Sequence, residues 1–350
     1  LIVNVGLRFD YVDSRAVVPT DLLDPYNTAG RPAGEAYRPA DAKWQVSPRV
    51  GFAFPISETG VIHASYGQFF QIPEYSRLYE NPEFEVQSST FTQFIGNAGL
   101  EPQRSTTYEI GLQQQIGAYV AIDLTAYYRD LRELVGTRLY EARTGGDAWG
   151  RYENTDFGRV RGLSLATEIR TDIGLTGSVN YTFQFARGNA SDPKQAFFDA
   201  QQNNEATRNL VPLDWDQQHT VSGALTYAEG RFSAGVLAYF NTGYPFTPED
   251  IQRNDIDLLR NQARYNPEFV VNLRSSLSVE VAGVTGQLFL LGENLLGFYR
   301  QDREPKIFAS EIRAHEENGN SLINSLVDFR TNPAVQRAPR LLRLGLQFDF

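Results

Sequence analysis

The 350-residue sequence has no cysteine, no methionine and only three histidines, His63, His219 and His315. Without cysteine there is no disulfide scaffold, thiolate zinc site, iron–sulfur cluster or thiol nucleophile. Three histidines leave little for a His-rich metal centre, and no cofactor is expected. Positive charge is short as well: 32 Lys and Arg against 42 Asp and Glu give a net charge of −10, which argues against nucleic acid as the main partner. No Gly-rich phosphate loop opens a helix, and no strand-borne carboxylate pair suggests a glycosidase. Long apolar runs are missing too, with a mean hydropathy of −0.37. That excludes a transmembrane helix but not a transmembrane β-barrel, whose apolar residues occupy alternate positions.

What is present is aromatic and periodic. Eighteen Tyr and 23 Phe suit an amphipathic β protein. Val3, Val5, Leu7, Phe9 and Tyr11 alternate with Asn4, Gly6, Arg8 and Asp10, and Leu342, Leu344, Leu346, Phe348 and Phe350 alternate with Arg343, Gly345, Gln347 and Asp349. The pattern predicts twelve strands, over 2–12, 45–55, 61–72, 107–116, 119–135, 158–171, 175–187, 218–227, 231–243, 268–280, 285–296 and 340–350. Most have the ~9–11 residues that a tilted strand needs to cross a bilayer. Residues 1–350 read as one barrel segment. It has no start Met and opens in a strand-like run, so a mature or partial stretch of a longer protein is expected, without signal peptide or plug domain.

The connections alternate between long and short. Gaps after odd strands are long (13–44, 73–106, 136–157, 188–217, 244–267, 297–339), and those after even strands are tight and rich in turn formers, as in Asp172-Ile173-Gly174 and Ala228-Glu229-Gly230. Outer-membrane barrels have short periplasmic turns and long extracellular loops. This reading puts the apolar set against lipid. The alternate set, including Arg8, Asp10, Arg49, Glu109, Asp123, Arg129, Glu168, Arg170, Arg274 and Asp349, forms a polar lumen wall. Phe348 and Phe350 belong to a periplasmic aromatic girdle and form the C-terminal assembly signal. Tyr11, Tyr128, Phe183, Phe185 and Phe240 belong to the outer girdle.

Several motifs then occur in a familiar order: Ser47-Pro-Arg-Val-Gly-Phe-Ala-Phe54, Ala64-Ser-Tyr-Gly-Gln-Phe-Phe70, Gly99-Leu-Glu-Pro102, Thr107-Tyr-Glu-Ile-Gly111, Tyr152-Glu-Asn154, Arg161-Gly-Leu163, Pro212-Leu-Asp-Trp-Asp216, Thr242-Gly-Tyr-Pro-Phe-Thr-Pro248, Gly292-Glu-Asn-Leu295 and Arg343-Leu-Gly-Leu-Gln-Phe-Asp-Phe350. On these the chain resembles the C-terminal part of the barrel of TonB-dependent outer-membrane receptors, most closely the Oar-like branch. Gln103, Ser164, Gln218 and Leu296 depart from the family pattern. The resemblance implies a 22-stranded barrel in the outer membrane of a Gram-negative bacterium, closed by an N-terminal plug, with twelve strands making about its second half. It implies uptake of a scarce solute such as a siderophore, glycan or peptide, and no catalysis. The partners it implies are outer-membrane lipids, an unknown extracellular ligand, and TonB with its inner-membrane energising complex, reached through the N-terminal part. A self-contained twelve-stranded porin or hydrolase, or a surface interaction barrel, is the alternative, since a twelve-stranded open sheet would leave two edges facing lipid.

Loop aromatics are the ligand-binding candidates: Tyr75, Tyr79 and Phe84 in the second long loop, Trp149 and Tyr152 in the third, Phe197 and Phe198 in the fourth, and Trp215 just before the eighth strand. They stack on a ligand or pack among themselves to order large loops. Asp214, Asp216 and His219 are the one carboxylate–His cluster, a weaker candidate for a metal site than for polar capping at a strand entrance. His63 and Ser65 share a strand face; a polar lumen-facing pair is favoured over a Ser–His hydrolase. His315 lies in a charged loop beside Glu316 and Glu317 and reads as solvated.

Overall fold

A computed structural model describes residues 1–85, 93–143, 148–201, 209–247, 260–281, 284–297 and 339–348. Twelve long strands form one antiparallel sheet in simple up-and-down order. They are β1 (Ile2–Val12), β2 (Lys43–Pro55), β3 (Gly60–Gln71), β4 (Gln103–Ile116), β5 (Val120–Glu141), β6 (Ala148–Arg170), β7 (Leu175–Gly188), β8 (His219–Glu229), β9 (Phe232–Asn241), β10 (Glu268–Val281), β11 (Val284–Glu293) and β12 (Leu341–Phe348). Each pairs with its neighbours in sequence, and among the described residues β1 and β12 do not pair with each other. His315, Asp349 and Phe350 lie outside the described residues.

Register turns twelve local alternations into two continuous faces, because side chains of paired residues stand on the same side of the sheet. Val5 faces Val50, Val50 faces Tyr66, and Tyr66 faces Tyr108. Tyr108 faces Tyr128, and Leu124 faces Leu165. The row continues through Leu225 opposite Val236 and Val236 opposite Leu273 to Leu290 opposite Leu344. This apolar face is open: Leu7 is 74% and Leu344 73% accessible. Such a face is unstable in water and matches hydrocarbon. The other face carries Arg8, Arg49, Glu109, Asp123 and Arg274.

The tight turns lie at one end. Gly117, Gly174 and Gly230 take φ of +61°, +80° and +57° in three of them, a region that other residues enter only at a cost. A Cβ on Gly174 would fall 2.0 Å from the Ala228 carbonyl oxygen.

Two sequence expectations need correction. The third long loop, expected over 136–157, shrinks to 142–147, because β5 and β6 run on to Glu141 and back from Ala148. Compensating irregularities between Leu131, Leu134 and Gly136 hide the alternation there. Each inserts a residue on one strand and shifts the period. Glu133 takes φ +56° at the first of them. Trp149 and Tyr152 are therefore strand residues. Three of the remaining long connections carry short helices, α1 (Ala33–Ala36), α2 (Tyr75–Tyr79) and α3 (Gln195–Gln201), where no regular element was expected.

Candidate functional site

β5 and β6 contain 22 and 23 residues, about twice the ~9–11 needed to cross a bilayer. Their outer halves stand beyond the apolar belt as a hairpin on which loops pack. A short strand, Phe94–Ile95, adds to β6 in parallel at Gly150 and Arg151. Gly150 permits this approach, since a Cβ there would lie 2.7 Å from the Phe94 ring. One hairpin face packs Val135, Leu139 and Tyr152 against Leu78, Phe94, Leu100 and Phe197. The opposite face packs Tyr140 and Trp149 against Tyr37, Phe84 and Ile95. Of the eight candidate aromatics, Phe84, Trp149, Tyr152 and Phe197 are thus buried in this platform, whereas Tyr75, Tyr79, Phe198 and Trp215 are exposed. Tyr75 and Tyr79 lie on one turn of α2 with ring centroids 6.2 Å apart.

Hydrogen bonds join motifs that lie far apart in sequence. Asn154 accepts the Glu101 amide at 2.8 Å and donates to the carbonyls of Glu101 and Glu133, each at 2.8 Å. Asn97 donates to the Tyr152 carbonyl at 2.9 Å and accepts from Arg151 at 2.9 Å. The Tyr152 hydroxyl donates to Glu80 at 2.8 Å, and burial together with that carboxylate pushes its pKa up. The Gly99-Leu-Glu-Pro102 and Tyr152-Glu-Asn154 stretches therefore form one buckle. Glu80, Asn97 and Arg151 were not singled out in the sequence, which offers no period or spacing that marks them.

The carboxylate–His cluster does not converge. Asp216, 1% accessible, accepts the Ala186 amide at 2.7 Å and pairs with Arg264, which also donates to the Gly243 carbonyl at 3.3 Å. It ties the entrance of β8 to the end of β7 and to the next loop. Asp214 accepts from Asn261 at 2.7 Å. The His219 ring, turned to the apolar face, meets the Tyr181 hydroxyl at 2.8 Å and stacks on Phe183 at 4.9 Å. No group of three or more potential ligands gathers among the described residues. Ser65 donates to Glu109 at 3.0 Å rather than to His63, and the His63 Nε2 lies 3.8 Å from Asp123.

Beside the platform, a cleft of about 490 Å3 opens between the first long loop and the hairpin tip. Asp21, Asp24, Tyr26, Arg31, Arg143 and Trp149 line it. Arg143 donates to Asp21 at 3.1 Å, and Arg31 lies 3.6 Å from both Asp21 and Asp24. Burial raises the Asp24 pKa, but hydrogen bonds from Thr28 and Ala29, with Arg31 nearby, outweigh it and hold the carboxyl below its ordinary value. A second cleft, about 340 Å3, lies against Arg138, Asp156, Asn189, Asp199 and Arg260. Burial pushes the Asp156 carboxyl up despite hydrogen bonds from Asn189 and Thr155.

The model of the TonB dependent receptor-like β-barrel family matches residues 1–295. The chain belongs to this family. No curated protein sequence matches it. Among solved structures it is similar to the copper transporter OprC, with 15% identity and TM-score 0.53, over 99% of this chain and 45% of that one. It is also similar to the outer membrane transporter YddB from Escherichia coli, with 12% identity and TM-score 0.59, over 88% and 41%. For the apoprotein form of the FrpB iron transporter from Neisseria meningitidis the values are 13% and 0.58, over 99% and 43%. The chain thus spans less than half the length of these receptors. TonB-dependent receptors are Gram-negative outer-membrane proteins and not enzymes, which places this chain in the outer membrane.

The residues expected on the lumen wall share the polar face of the sheet. Arg8 pairs with Asp10 at 2.7 Å, the Arg49 guanidinium lies over the Phe69 ring at 4.6 Å, and Glu109 is held by Ser65. Asp123 accepts from Gln113 at 2.8 Å and from Thr125 at 2.8 Å. Arg129, Glu168 and Arg274 are exposed on the same face. Phe348 sits on the outer face opposite Gly286, near the turn end of the sheet.

Proposed function

We propose that this chain forms the wall and extracellular platform of a receptor that captures a scarce solute and imports it with TonB-derived energy. The observation that carries the reading is the β5–β6 hairpin, continued past the apolar belt into a packed platform beside an open cleft. A porin needs no such projecting, cross-braced surface. Residues 1–350 then supply twelve strands of a larger barrel, and a plug elsewhere in the protein meets TonB. The cleft presents both charge signs and aromatic rings, which suits a polar solute with donors and acceptors, such as a peptide or a glycan. A peptide is also the cargo class that the Oar-like resemblance admits. Tyr75, Tyr79, Phe198 and Trp215 supply the stacking surfaces available to a ligand, while the buried four set the rigidity of the platform.

The test is accumulation of labelled solute pools in cells that express the full receptor, with and without TonB. Surface binding without accumulation in the strain lacking TonB is the expected result. Equal accumulation in both strains would overturn the uptake reading. Replacing Tyr75, Tyr79 and Trp215 together with Ala is expected to weaken solute binding at least tenfold, at roughly 1–3 kcal/mol per lost stacking contact.

A further inference from the structure

Above the outer aromatic girdle, the lipid-facing side of four adjacent strands turns basic. Arg104 on β4 stands directly opposite Arg132 on β5. Asp130 stands opposite Arg159 on β6, and Arg159 opposite Arg187 on β7. One rung nearer the membrane, Arg161 lies between Tyr128 and Phe185. All five arginines are exposed. Their facing follows from register with the apolar belt and from contacts. Arg132 lies over the Phe157 ring and Arg161 over the Phe185 ring, each 5.7 Å from the centroid.

The arrangement is unfavourable as it stands. Like charges directly opposite each other across a strand pair repel, and here two Arg–Arg pairs sit side by side. Asp130 is the one carboxylate at these positions; it bonds Arg132 at 2.7 Å and lies 3.6 Å from Arg159. Among the described residues Arg104, Arg161 and Arg187 make no ion pair. An arginine facing hydrocarbon at midplane costs ~2–4 kcal/mol, falling to ~0–1 at the interface, so a cluster on this face belongs at headgroup height. At ~3.3 Å per residue, Arg159 stands about 7 Å beyond Arg161, and at ~4.8 Å per strand the cluster is about 14 Å wide. That footprint matches one lipid headgroup with more than one anionic group.

We propose that these arginines form a docking site for a phosphorylated glycolipid of the outer leaflet. Planar guanidinium forks bind phosphate oxygens two at a time, and a bridging phosphate turns each repelling pair into a chelate. The acyl chains of the same molecule then lie along the apolar belt below. The inference rests on outer-membrane placement and not on the uptake reading, so either stands without the other.

The test is native mass spectrometry of the full receptor in detergent, titrated with lipid A, with enzymatically dephosphorylated lipid A and with inorganic phosphate. The expected result is at least a tenfold preference for lipid A over its dephosphorylated form. Loss of that preference is expected in an Arg132→Gln, Arg159→Gln, Arg161→Gln variant, with partial recovery in the matching Lys variant. Millimolar inorganic phosphate should not displace the lipid. Equal binding of the two lipids, an unchanged Gln variant, or full displacement by inorganic phosphate would each overturn the proposal. Should the Gln variant not fold, as read by heat-modifiable gel migration, the two-lipid comparison on the unaltered receptor decides alone.

Discussion

A single side chain in this protein acts mainly by what it joins. Trp149 fills the space between the first and second long loops and the hairpin, and Trp149→Ala is expected to cost ~3–5 kcal/mol of platform stability. Hydrogen exchange at the tips of β5 and β6 should accelerate accordingly, with the membrane segments unchanged. Gly162 makes a different kind of joint. A Cβ there would fall 2.4 Å from the Phe183 carbonyl oxygen and 2.7 Å from the Tyr127 hydroxyl. Tyr127 lies across this gap to donate to Gln184 at 3.1 Å. Gly162→Ala should expel Tyr127, and its fluorescence and the β6–β7 exchange rates would report that. Two carboxyls give opposite responses to pH. The raised pKa of Asp156 means that its contribution is full below the unfolded value of 3.8 and is lost as pH rises through the folded one. The lowered pKa of Asp24 means that its contribution is present above 3.8 and is lost as pH falls through the folded one. Exchange protection, corrected for intrinsic rates, should therefore decline in acid around Thr28 and Ala29 and improve around Asn189. Asp24→Asn and Asp156→Asn should each abolish the local trend.

Strands were legible in the sequence wherever nothing interrupted the period of two. Leu124 and Thr125 adjoin in β5 yet stand on the apolar and the polar face respectively. Leu124→Arg is expected to destabilise the folded barrel by ~2–4 kcal/mol, and Thr125→Arg by much less, as read by unfolding in denaturant from lipid vesicles. The outer halves of β5 and β6 were not legible. Two bulges shift the phase there, and burial on both faces replaces the clean alternation with Val135, Thr137, Trp149 and Tyr152, all enclosed by loops. A stretch covered on both sides no longer advertises which face is which. Short helices such as α2 were equally hidden, since five residues are too few to show a period.

At the scale of the molecule the sheet is a wall with one apolar face, one polar face and two free edges among the described residues. The absence of cysteine makes this directly testable. Single cysteines at Leu273 and Leu344 should react with lipid-soluble reagents, and those at Arg274 and Arg343 with water-soluble ones; the reverse pattern would invert the wall. On the proposal that further strands separate β1 from β12 in a larger barrel, a Val5→Cys, Leu344→Cys pair should give no disulfide; ready cross-linking would mean that twelve strands close on themselves. The sequence by itself determined the regularly alternating strands, which of their residues share a face, and the end on which long loops gather, because alternation and gap length are local quantities that survive without tertiary contacts. Only the tertiary structure decided which side chains meet. Asn154 with Glu101, Asp216 with Arg264, Tyr152 with Glu80 and Arg104 with Arg132 join positions far apart in the chain. Such contacts depend on register and loop closure, which fix a geometry that no local pattern encodes.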